Sequence, residues 1–414
     1  MSIKKNALII GAGRSQVPII DLCHQYGYKV ICVSPKGNYP GLDIADDVLY
    51  EDVKNIESIL NFANEKKIDA VFTDQLDAGV LTAAYVSEKI GVKTITYETA
   101  LKFTNKFIMR QCAKKAGIAV PQCVCASTIE DAMEKSKNMT FPLIMKPVDS
   151  AASRGISKIE NANDIEKFFS YAQQYSRTNS VILETFITGK EYVVEAFTKN
   201  YKTQNLIVGE RTYFDIPGEF IPSTTIFRDA NSADSSIENR LKQTNKHLVE
   251  SFGLPFGITH AEFLYDDVSD TIYLVEIAAR GGGVFISSDL IPMACGVNAI
   301  DLLTKENLGI PYEDKIVLNQ GSSAYLCYLC PDGKIISIKG MPQIKDIPGV
   351  EKVFFDNISV GMQLPPIKDK SSRKGPFLIK GCTKDECLNV MKKIKSTFDI
   401  SIVDSAGNSK GVIW

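Results

Sequence analysis

Apolar and polar positions alternate in two different ways along the chain. Over the first hundred residues, short apolar runs such as ALIIGAG, KVICVSP and DAVFTD are separated by amphipathic stretches such as PIIDLCHQYG and IESILNFANEKK. Apolar runs of strand length followed by amphipathic segments of helix length are typical of βαβ units. The pattern therefore predicts a doubly wound parallel sheet in this part of the chain.

The pattern changes after Pro121, where a polar run begins. From about residue 141, strand-like runs such as FPLIMKPV, SVILETFI and EYVVEAFT dominate, and residues 258–277 have the form of a hairpin. After Pro311 the chain is rich in strands and ends in a helix-like segment, ECLNVMKKIKSTF. We therefore predict a mixed α/β and α+β protein of three units, with a lid subdomain at about 120–190 in the second. The units are 1–105, 106–310 and 311–414.

Length, composition and charge narrow the class of protein. A chain of 414 residues suits two or three domains, at ~150 residues per domain. Its 47 Lys and Arg against 49 Asp and Glu leave a formal net charge of -2, which gives no support for binding to nucleic acid or to a membrane surface. No apolar run approaches the ~20 residues of a membrane span, and a strand explains the start MSIKKNALIIGAG better than a signal peptide does.

The ten cysteines are spread over the chain, and many lie in apolar segments. This usage fits small buried hydrophobes in a reducing compartment, so we expect a cytosolic protein. Cys327 and Cys330 form a CxxC, but the strand-like context, the absence of a second CxxC and the presence of only three histidines disfavour a metal site there.

Gly11 and Gly13 follow the first predicted strand. A glycine turn that opens a helix can hold an anion or a dinucleotide pyrophosphate. Gln16 stands where the dinucleotide fingerprint requires its third glycine. A turn that faces substrate or is purely structural is therefore favoured over NAD binding.

Lys146 lies in the middle of an apolar strand and precedes a run of small residues. An unpaired ammonium is costly to bury, so Lys146 either extends to solvent or meets an anion. The small residues can present several backbone N–H groups to a phosphate. They are Ser150, Ala151, Ala152, Ser153 and Gly155. The segment predicts a clamp for nucleotide phosphates, and the alternative is an exposed lysine before a flexible serine-rich loop.

The segment THAEFLYDDVSDTIYLVEIAARGGG predicts a hairpin that brings two carboxylates together. With a turn centred near Ser269, Glu262 lies directly opposite Glu276. Phe263 then pairs with Val275 on the other face. Like charges that face each other across strands are destabilising unless a cation lies between them, and such a pair suits Mg²⁺. The alternative is a register shifted by one residue, which turns one glutamate to solvent.

Arg280 follows this hairpin and precedes the glycine triplet Gly281, Gly282 and Gly283. An arginine fork next to exposed backbone N–H groups can hold a carboxylate or stabilise a phosphoryl transition state. A simple flexible turn is the alternative interpretation of the triplet.

Taken in order, NKFIMR, LIMKPVDSAASRG, ILETFITGKEYVVE, HAEF and VEIAARGGG resemble the successive motifs of ATP-grasp enzymes. The N-terminal βαβ pattern resembles the pre-ATP-grasp domain of that superfamily. The tail, with DNISVGMQLPP and SSRKGPFLIKGCTKDE, is similar to the C-terminal domain of its amino-acid ligase, carbamoyl-phosphate synthase-like and biotin carboxylase-like branches. The resemblance implies an ATP-grasp fold that binds ATP with Mg²⁺, or alternatively Mn²⁺.

The same resemblance implies which residues contact the nucleotide: two lysines and the small-residue loop at the phosphates, a hinge that reads adenine, and a carboxylate on the ribose hydroxyls. The resemblance places at the phosphates Lys106, Lys146 and the loop residues Ser150, Ser153 and Gly155. It places at the adenine hinge Glu184, Phe186 and Ile187, and on the ribose hydroxyls Glu191.

It also implies that Glu262 and Glu276 bind the metal and that Arg280 acts near the transferred phosphoryl group. Ala278 stands where many members carry an asparagine as a third ligand, so we expect a metal set of two carboxylates. The residues placed by location alone in the acceptor pocket are Phe214, Ile216, Gly281, Gly282 and Val284.

The implied reaction is ligation of a small-molecule carboxylate to an amine. The carboxylate attacks the γ-phosphoryl group of ATP, and the amine captures the acyl phosphate, with release of ADP and phosphate. A lid must exclude water from that intermediate. The tail domain could support a homodimer.

Three other functions stay open at this stage. The first keeps the fold and activates bicarbonate, as in carbamoyl-phosphate synthase, biotin carboxylase or purine-pathway relatives. The second is a nucleotide-binding protein without catalysis. The third is a dehydrogenase built on Gly11 and Gly13.

Overall fold

The computed structural model describes residues 5–150, 154–217, 220–355 and 358–414. The chain begins with a parallel sheet of order β3-β2-β1-β4. Residues Ala7–Ile10 of its first strand are fully buried, because Ala7 and Ile9 pack against one layer of helices and Leu8 and Ile10 against another. The predicted doubly wound sheet is confirmed. Its elements are β1 Asn6–Ile10, α1 Val17–Gln25, β2 Lys29–Ser34, α2 Pro40–Ile44, β3 Asp47–Tyr50, α3 Ile56–Glu65, β4 Ala70–Phe72 and α4 Asp77–Ile90.

Two helices lead from this sheet into a small antiparallel sheet of order β5-β8-β6-β7. That sheet has a hydrophobic core of its own, built around side chains such as Leu143, Met145, Phe169 and Leu183. It occupies the segment predicted to form a lid. The elements are α5 Tyr97–Thr104, α6 Lys106–Lys115, β5 Cys123–Ala126, α7 Ile129–Ser136, β6 Leu143–Pro147, β7 Ser157–Ile159, α8 Asn163–Gln173 and β8 Val181–Thr185.

Long antiparallel strands and an amphipathic helix follow the lid. The helix begins with a capping box in which Ser235 and Glu238 satisfy each other's backbone N–H groups. The elements are β9 Lys190–Lys199, β10 Lys202–Tyr213, β11 Pro222–Asp229, α9 Ser236–Phe252, β12 Gly257–Asp266 and β13 Thr271–Ala278, then a π-helical turn at Ile286–Leu290, α10 Ile291–Cys295 and α11 Ala299–Leu308.

The last hundred residues join the same central sheet. Its eight strands have the order β13-β12-β9-β10-β11-β14-β18-β16, and a separate four-stranded sheet has the order β17-β15-β19-β20. The central sheet is therefore continuous across the boundary predicted near residue 311. The elements are β14 Ser322–Tyr328, β15 Gly333–Lys339, α12 Met341–Ile344, β16 Val350–Val353, β17 Gln363–Leu364, a 3-10 turn at Lys370–Ser372, β18 Lys374–Gly381, α13 Lys384–Thr397, β19 Asp399–Val403 and β20 Ser409–Lys410.

The hairpin β12–β13 has the predicted pairing at its two glutamates. Glu262 lies directly opposite Glu276, which confirms the predicted register there. The predicted pairing of Phe263 with Val275 is wrong, because a bulge after Glu262 places Phe263 opposite Leu274. A bulge inserts one unpaired residue and increases the local twist.

The turn after β1 is closed by a side chain. Gly11 has φ +103°, a conformation that suits glycine. Gln16 accepts a hydrogen bond from Gly13 N at 2.9 Å and donates from Nε2 to Asp74 O at 2.6 Å. The residue in place of a third glycine thus ties this turn to the loop after β4.

All ten cysteines are free thiols, and Cys327 and Cys330 are buried. Within the described ranges, no single helix is long and apolar enough to cross a membrane. Only Ile286–Cys295 taken together with Ala299–Leu308, which are bent by 119°, reaches the required length and composition.

We expect Phe169→Ala to destabilise the lid by about 3–5 kcal/mol, because the ring is 2% exposed in the lid core. The matched control is Phe168→Ala, since the neighbouring ring only packs partly buried against that core. Limited proteolysis and urea unfolding measure the difference. Equal sensitivity of the two variants would contradict a separate lid core.

Candidate active site

A cavity lies between the lid and the central sheet. It is lined by residues of α6, of the lid strands β6 and β8, of strands β9, β12 and β13, and of the 3-10 turn near residue 370. Nine residues predicted to bind nucleotide or metal line it together. They are Lys106, Lys146, Ser150, Glu184, Phe186, Ile187, Glu191, Glu262 and Glu276.

At the lid side of the cavity, Glu184 lies between two cations. Lys146 Nζ is 2.6 Å from Glu184 Oε2, and Arg110 Nε is 2.6 Å from Glu184 Oε1. Although burial alone would raise it, Arg110 and Lys146 hold the pKa of Glu184 at about 2. Lys146 is 7% exposed and does not extend to solvent. The Glu184 carboxylate therefore holds the two cations. Its position gives no support to a contact between this carboxylate and adenine.

The two facing glutamates of the hairpin have different cationic partners. Lys106 Nζ is 2.8 Å from Glu276 Oε1 and also donates to Ser150 O at 2.7 Å. Arg211 Nη1 is 2.5 Å from Glu262 Oε1, and His260 Nε2 is 3.1 Å from the same oxygen. The like charges that the register brings together are therefore each compensated by a neighbouring cation.

Arg211 and His260 extend this network away from the hairpin. Arg211 Nη1 also contacts Glu191 Oε1 at 2.5 Å, and Tyr213 donates its hydroxyl proton to Glu191. His260 Nδ1 contacts Glu195, which is fully buried. Although burial alone would lower it, Glu195 and Glu262 raise the pKa of His260 to about 9. The charged network is therefore continuous from Glu191 to Glu195.

Part of the cavity wall is apolar. Ile144, Ile156 and Leu264 line it together with the rings of Phe186 and Phe220, whose centroids are 6.2 Å apart. Thr185 also lines the cavity, and its hydroxyl oxygen is buried without a partner among the described residues. An apolar wall with aromatic rings fits an adenine ring.

Arg280 lies outside this cavity lining and is held by the N-terminal unit. Its Nε and Nη2 atoms donate to the two carboxylate oxygens of Asp77 at 2.8 Å each, a bidentate pair. Although burial alone would lower it, Asp77 raises the pKa of Arg280 further above its usual range. Arg280 therefore stays charged beside the end of β13.

The prediction that the glycine triplet exposes its backbone N–H groups is wrong for the first two residues. Gly281 N donates to Asp74 Oδ1 at 2.6 Å, and Gly282 N donates to Glu195 Oε2 at 3.2 Å, both in buried positions. A Cβ atom on Gly281 would lie 2.2 Å from Ser287 Cβ. Close packing therefore requires glycine at these positions. Their backbone N–H groups bind carboxylates of the protein, those of Asp74 and Glu195.

The other residues predicted to line the acceptor pocket lie in different environments. Phe214 is 3% exposed in the central hydrophobic cluster, and Ile216 packs against that cluster, so their positions support packing and give no support to contact with substrate. Val284 has φ +60°, as has Phe285 after it. A β-branched residue in this conformation is strained, and such strain is concentrated at functional sites.

The small-residue loop is described only in part. Ser150 lines the cavity and Gly155 has φ +73°, and a Cβ atom on Gly155 would lie 3.1 Å from Pro147 Cδ. Ser153 lies outside the described residues, as do Ala151 and Ala152. The predicted phosphate contacts of this loop stay a prediction.

The sequence reasoning missed several charged residues of the site. Arg110 lies in the segment NKFIMR, and His260 begins HAEF, so both stood in segments that carried the family resemblance without a role of their own. Asp77 and Arg211 had no local signal, because their partners are more than 15 residues away in sequence. Lys370 also lines the cavity, from a turn that precedes β18.

Glu262 and Glu276 are the candidate ligands of a metal ion. Carboxylate oxygens are the ligands that Mg²⁺ prefers, and Mg²⁺ completes its octahedron with phosphates and water. No group of three or more His, Cys, Asp or Glu side chains suited to hold a metal occurs in the part of the chain that the structure describes. The donor set therefore fits Mg²⁺ bound jointly by two carboxylates and a nucleotide.

Comparisons with known proteins agree with this geometry. Residues 139–289 match the family model of the ATP-grasp domain. The formate-dependent phosphoribosylglycinamide formyltransferase of Prochlorococcus marinus is 25% identical over 402 residues, which cover 92% of this chain and 93% of that protein.

Two solved structures share the fold over nearly the whole chain. The L-amino acid ligase from Bacillus licheniformis has a TM-score of 0.78 at 20% identity, covering 97% of this chain and 99% of that one. The biotin carboxylase domain dimer of the Hydrogenobacter thermophilus 2-oxoglutarate carboxylase, in complex with MgADP, ADP and bicarbonate, has a TM-score of 0.72 at 16% identity, covering 99% of this chain and 92% of that one.

Residues 139–289 are thus an ATP-grasp domain, within a chain whose whole fold is that of ATP-grasp enzymes. The matched domain is one that binds ATP with Mg²⁺, and the homologous enzymes use ATP to form carbon–nitrogen bonds.

We expect Glu184→Gln to lower the free energy of unfolding at pH 7 by about 3–5 kcal/mol, because it leaves two buried cations without a counter-charge. Because the pKa of Glu184 is lowered from its ordinary value of 4.5, its contribution to stability is present above pH 4.5 and is lost as pH falls through about 2. The stability difference from the wild type should therefore shrink on acidification from pH 5. Urea unfolding at pH 7, 5 and 3 measures this difference.

The matched control is Glu160→Gln, which breaks the exposed pair with Lys158. We expect it to change stability by under about 1 kcal/mol at every pH. A difference for Glu184→Gln that stays constant from pH 7 to pH 3 would count against this assignment of the ion pair.

We expect Gly282→Ala to destabilise the protein by about 1–3 kcal/mol. The new Cβ atom would lie 2.5 Å from Glu195 Oε1 and 2.7 Å from His260 Nδ1, and both side chains are confined. At Gly283 a Cβ atom meets nothing within 4 Å, so Gly283→Ala should stay within about 0.5 kcal/mol of the wild type. Thermal unfolding of the pair checks this, and equal losses would contradict the packing around Gly282.

Proposed function

We propose that the chain is a carboxylate–amine ligase that works through an acyl phosphate. The observation that carries the proposal is the meeting, at one cavity, of the facing acids Glu262 and Glu276, the lysines Lys106 and Lys146, and an apolar part of the wall. In this proposal the base of ATP packs against the apolar part of the wall and its phosphates extend toward the lysines and acids.

Lys106 and Lys146 hold the phosphates of ATP in this proposal. Both are buried, and each is paired with a carboxylate that keeps it in the cavity, Glu276 for Lys106 and Glu184 for Lys146. Fixed cations stabilise charge on the transferred phosphoryl group without reorganisation, which is the main contribution to catalysis of phosphoryl transfer. Mg²⁺, when bound by Glu262 and Glu276, would add charge neutralisation at the phosphate oxygens.

Arg280 acts at the acceptor side. Its guanidinium is held by both carboxylate oxygens of Asp77, and the strained pair Val284 and Phe285 follows Arg280 in the same segment. A preoriented cation there can orient the incoming carboxylate for in-line attack on the γ-phosphoryl group. The carboxylate oxygen forms the new bond to phosphorus as the bond to ADP breaks.

The lid protects the product of that step. The acyl phosphate would be hydrolysed in water, so the cavity must be closed during transfer. The sheet of the lid has its own core and is joined to the rest of the chain before β5 and after β8, which allows movement as a unit. The amine then attacks the acyl carbon and expels phosphate.

A second candidate function is activation of formate, which forms formyl phosphate for transfer to an amine. The observation that favours it is the 92% coverage of this chain by a relative named as a formate-dependent formyltransferase. Bicarbonate activation is a further form of the same chemistry, since a structure of the same fold was solved with MgADP and bicarbonate.

A screen of phosphate release distinguishes these functions. The purified chain is incubated with ATP and Mg²⁺ and with pairs of amino acids, with formate and phosphoribosylglycinamide, or with bicarbonate, and products are identified by mass spectrometry. Release that requires two amino acids and yields a dipeptide supports amino-acid ligation. Release with formate or bicarbonate supports the second candidate, and no dependence on any carboxylate contradicts the proposal.

We expect Glu276→Gln to lower the rate of ADP formation at least about 100-fold, because it removes one of two metal carboxylates and the partner of Lys106. The matched control, Glu210→Gln, changes a glutamate on the neighbouring β10 whose partner is the exposed Lys384. It should keep the wild-type rate. Near-normal turnover of Glu276→Gln at ordinary Mg²⁺ concentrations would refute the metal assignment.

The proposal extends to assembly and location. A homodimer is supported by the description of one structure of the same fold as a domain dimer. A cytosolic location is supported by the ten free cysteines, which suit a reducing compartment.

A further inference from the structure

Lys370 enters the nucleotide cavity from the C-terminal part of the chain. It begins the 3-10 turn Lys370–Ser372, whereas the other lining residues lie between Lys106 and Glu276. Its neighbours in the cavity wall include Glu191, Tyr213 and Glu262. The last quarter of the chain therefore reaches the nucleotide site through one cationic side chain.

The backbone of this turn is fixed by local hydrogen bonds. Ser371 N donates to Asp369 Oδ1 at 2.7 Å, and Lys368 N donates to Ser372 Oγ at 3.0 Å. Arg373 bridges the turn to β11, since it donates to Lys370 O at 3.2 Å and to Pro222 O at 3.4 Å. The position of Lys370 is thus set by its own turn, and its side chain is left to contact the cavity.

The Lys370 ammonium makes no hydrogen bond or ion pair within standard distances to any residue that the structure describes. The carboxylates that face it already have partners: Glu191 is held by Arg211 and Tyr213, and Glu262 by Arg211 and His260. Burial lowers the pKa of Lys370, opposed by Glu262. A half-buried ammonium in the cavity wall, whose three donors no described residue uses, is suited to the oxygen acceptors of a ligand.

We propose that Lys370 contacts the α- and β-phosphates of the bound nucleotide and so makes the C-terminal part of the chain a component of the ATP site. The inference rests on the proposed function, in which Glu262 binds the metal at the phosphates, and on the family resemblance, which implies that Glu191 holds the ribose. Lys370 lines the wall beside both acids, and the phosphates that lie between a ribose and a metal-bound terminus are the first two.

The test is nucleotide binding by the full chain, measured by calorimetry with Mg²⁺. Lys370→Ala should weaken the affinity for ADP about tenfold to hundredfold, the effect of one hydrogen bond to a charged group. Its affinity for adenosine, which carries no phosphate, should stay within about twofold of the wild type. Lys370→Arg should recover most of the ADP affinity, because it restores the positive charge.

Lys368→Ala is the matched control, since this lysine is exposed in the same segment, and it should bind ADP like the wild type. Lys370→Met keeps the aliphatic stem and replaces Lys370→Ala if the latter unfolds. ADP affinity within twofold of the wild type in Lys370→Ala, or an equal loss for adenosine and ADP, would overturn the inference. Wild-type binding of ADP without carboxylate-dependent phosphate release would instead overturn the proposed function alone.

Discussion

Buried carboxylates require cations, and this constraint organises the site. The register of the β12–β13 hairpin places Glu262 opposite Glu276, and the protein compensates them with different groups, Lys106 on one side and Arg211 with His260 on the other. Each of these cations comes from a different element, so α6, β10 and β12 are brought together by charge as well as by packing. A nucleotide with its metal would enter a cavity whose charges are already paired and oriented.

The N-terminal unit holds the segment after β13, which carries Arg280 and the glycine triplet. The loop after β4 supplies Asp74, which accepts a hydrogen bond from Gly281, and the first turn of α4 supplies Asp77, which holds Arg280. Gln16 connects the turn after β1 to the same loop. The parallel sheet therefore positions the segment after β13, and its first glycine turn serves as part of that support.

Much of the fold was accessible from sequence because it follows from local periodicity. Alternating strand and helix patterns predicted the parallel sheet, and the spacing within the β12–β13 hairpin predicted that Glu262 lies opposite Glu276. The pairing of Phe263 was predicted wrongly, since a single bulge after Glu262 leaves no sequence pattern of its own. The exposure of the glycine N–H groups was also predicted wrongly, because their partners Asp74 and Glu195 lie far away along the chain.

The sequence by itself determined the superfamily motifs, the two facing acids and the lysine in an apolar strand, since each depends on spacing within one segment. Only the tertiary structure decided which charges neutralise which: Arg110 with Glu184, Arg211 with Glu262, and Asp77 with Arg280. It also decided that the tail of the chain continues the central sheet and brings Lys370 to the cavity. The physical reason is that ion pairing depends on distance in space, and strand order, which sets those distances, is not encoded in any local pattern.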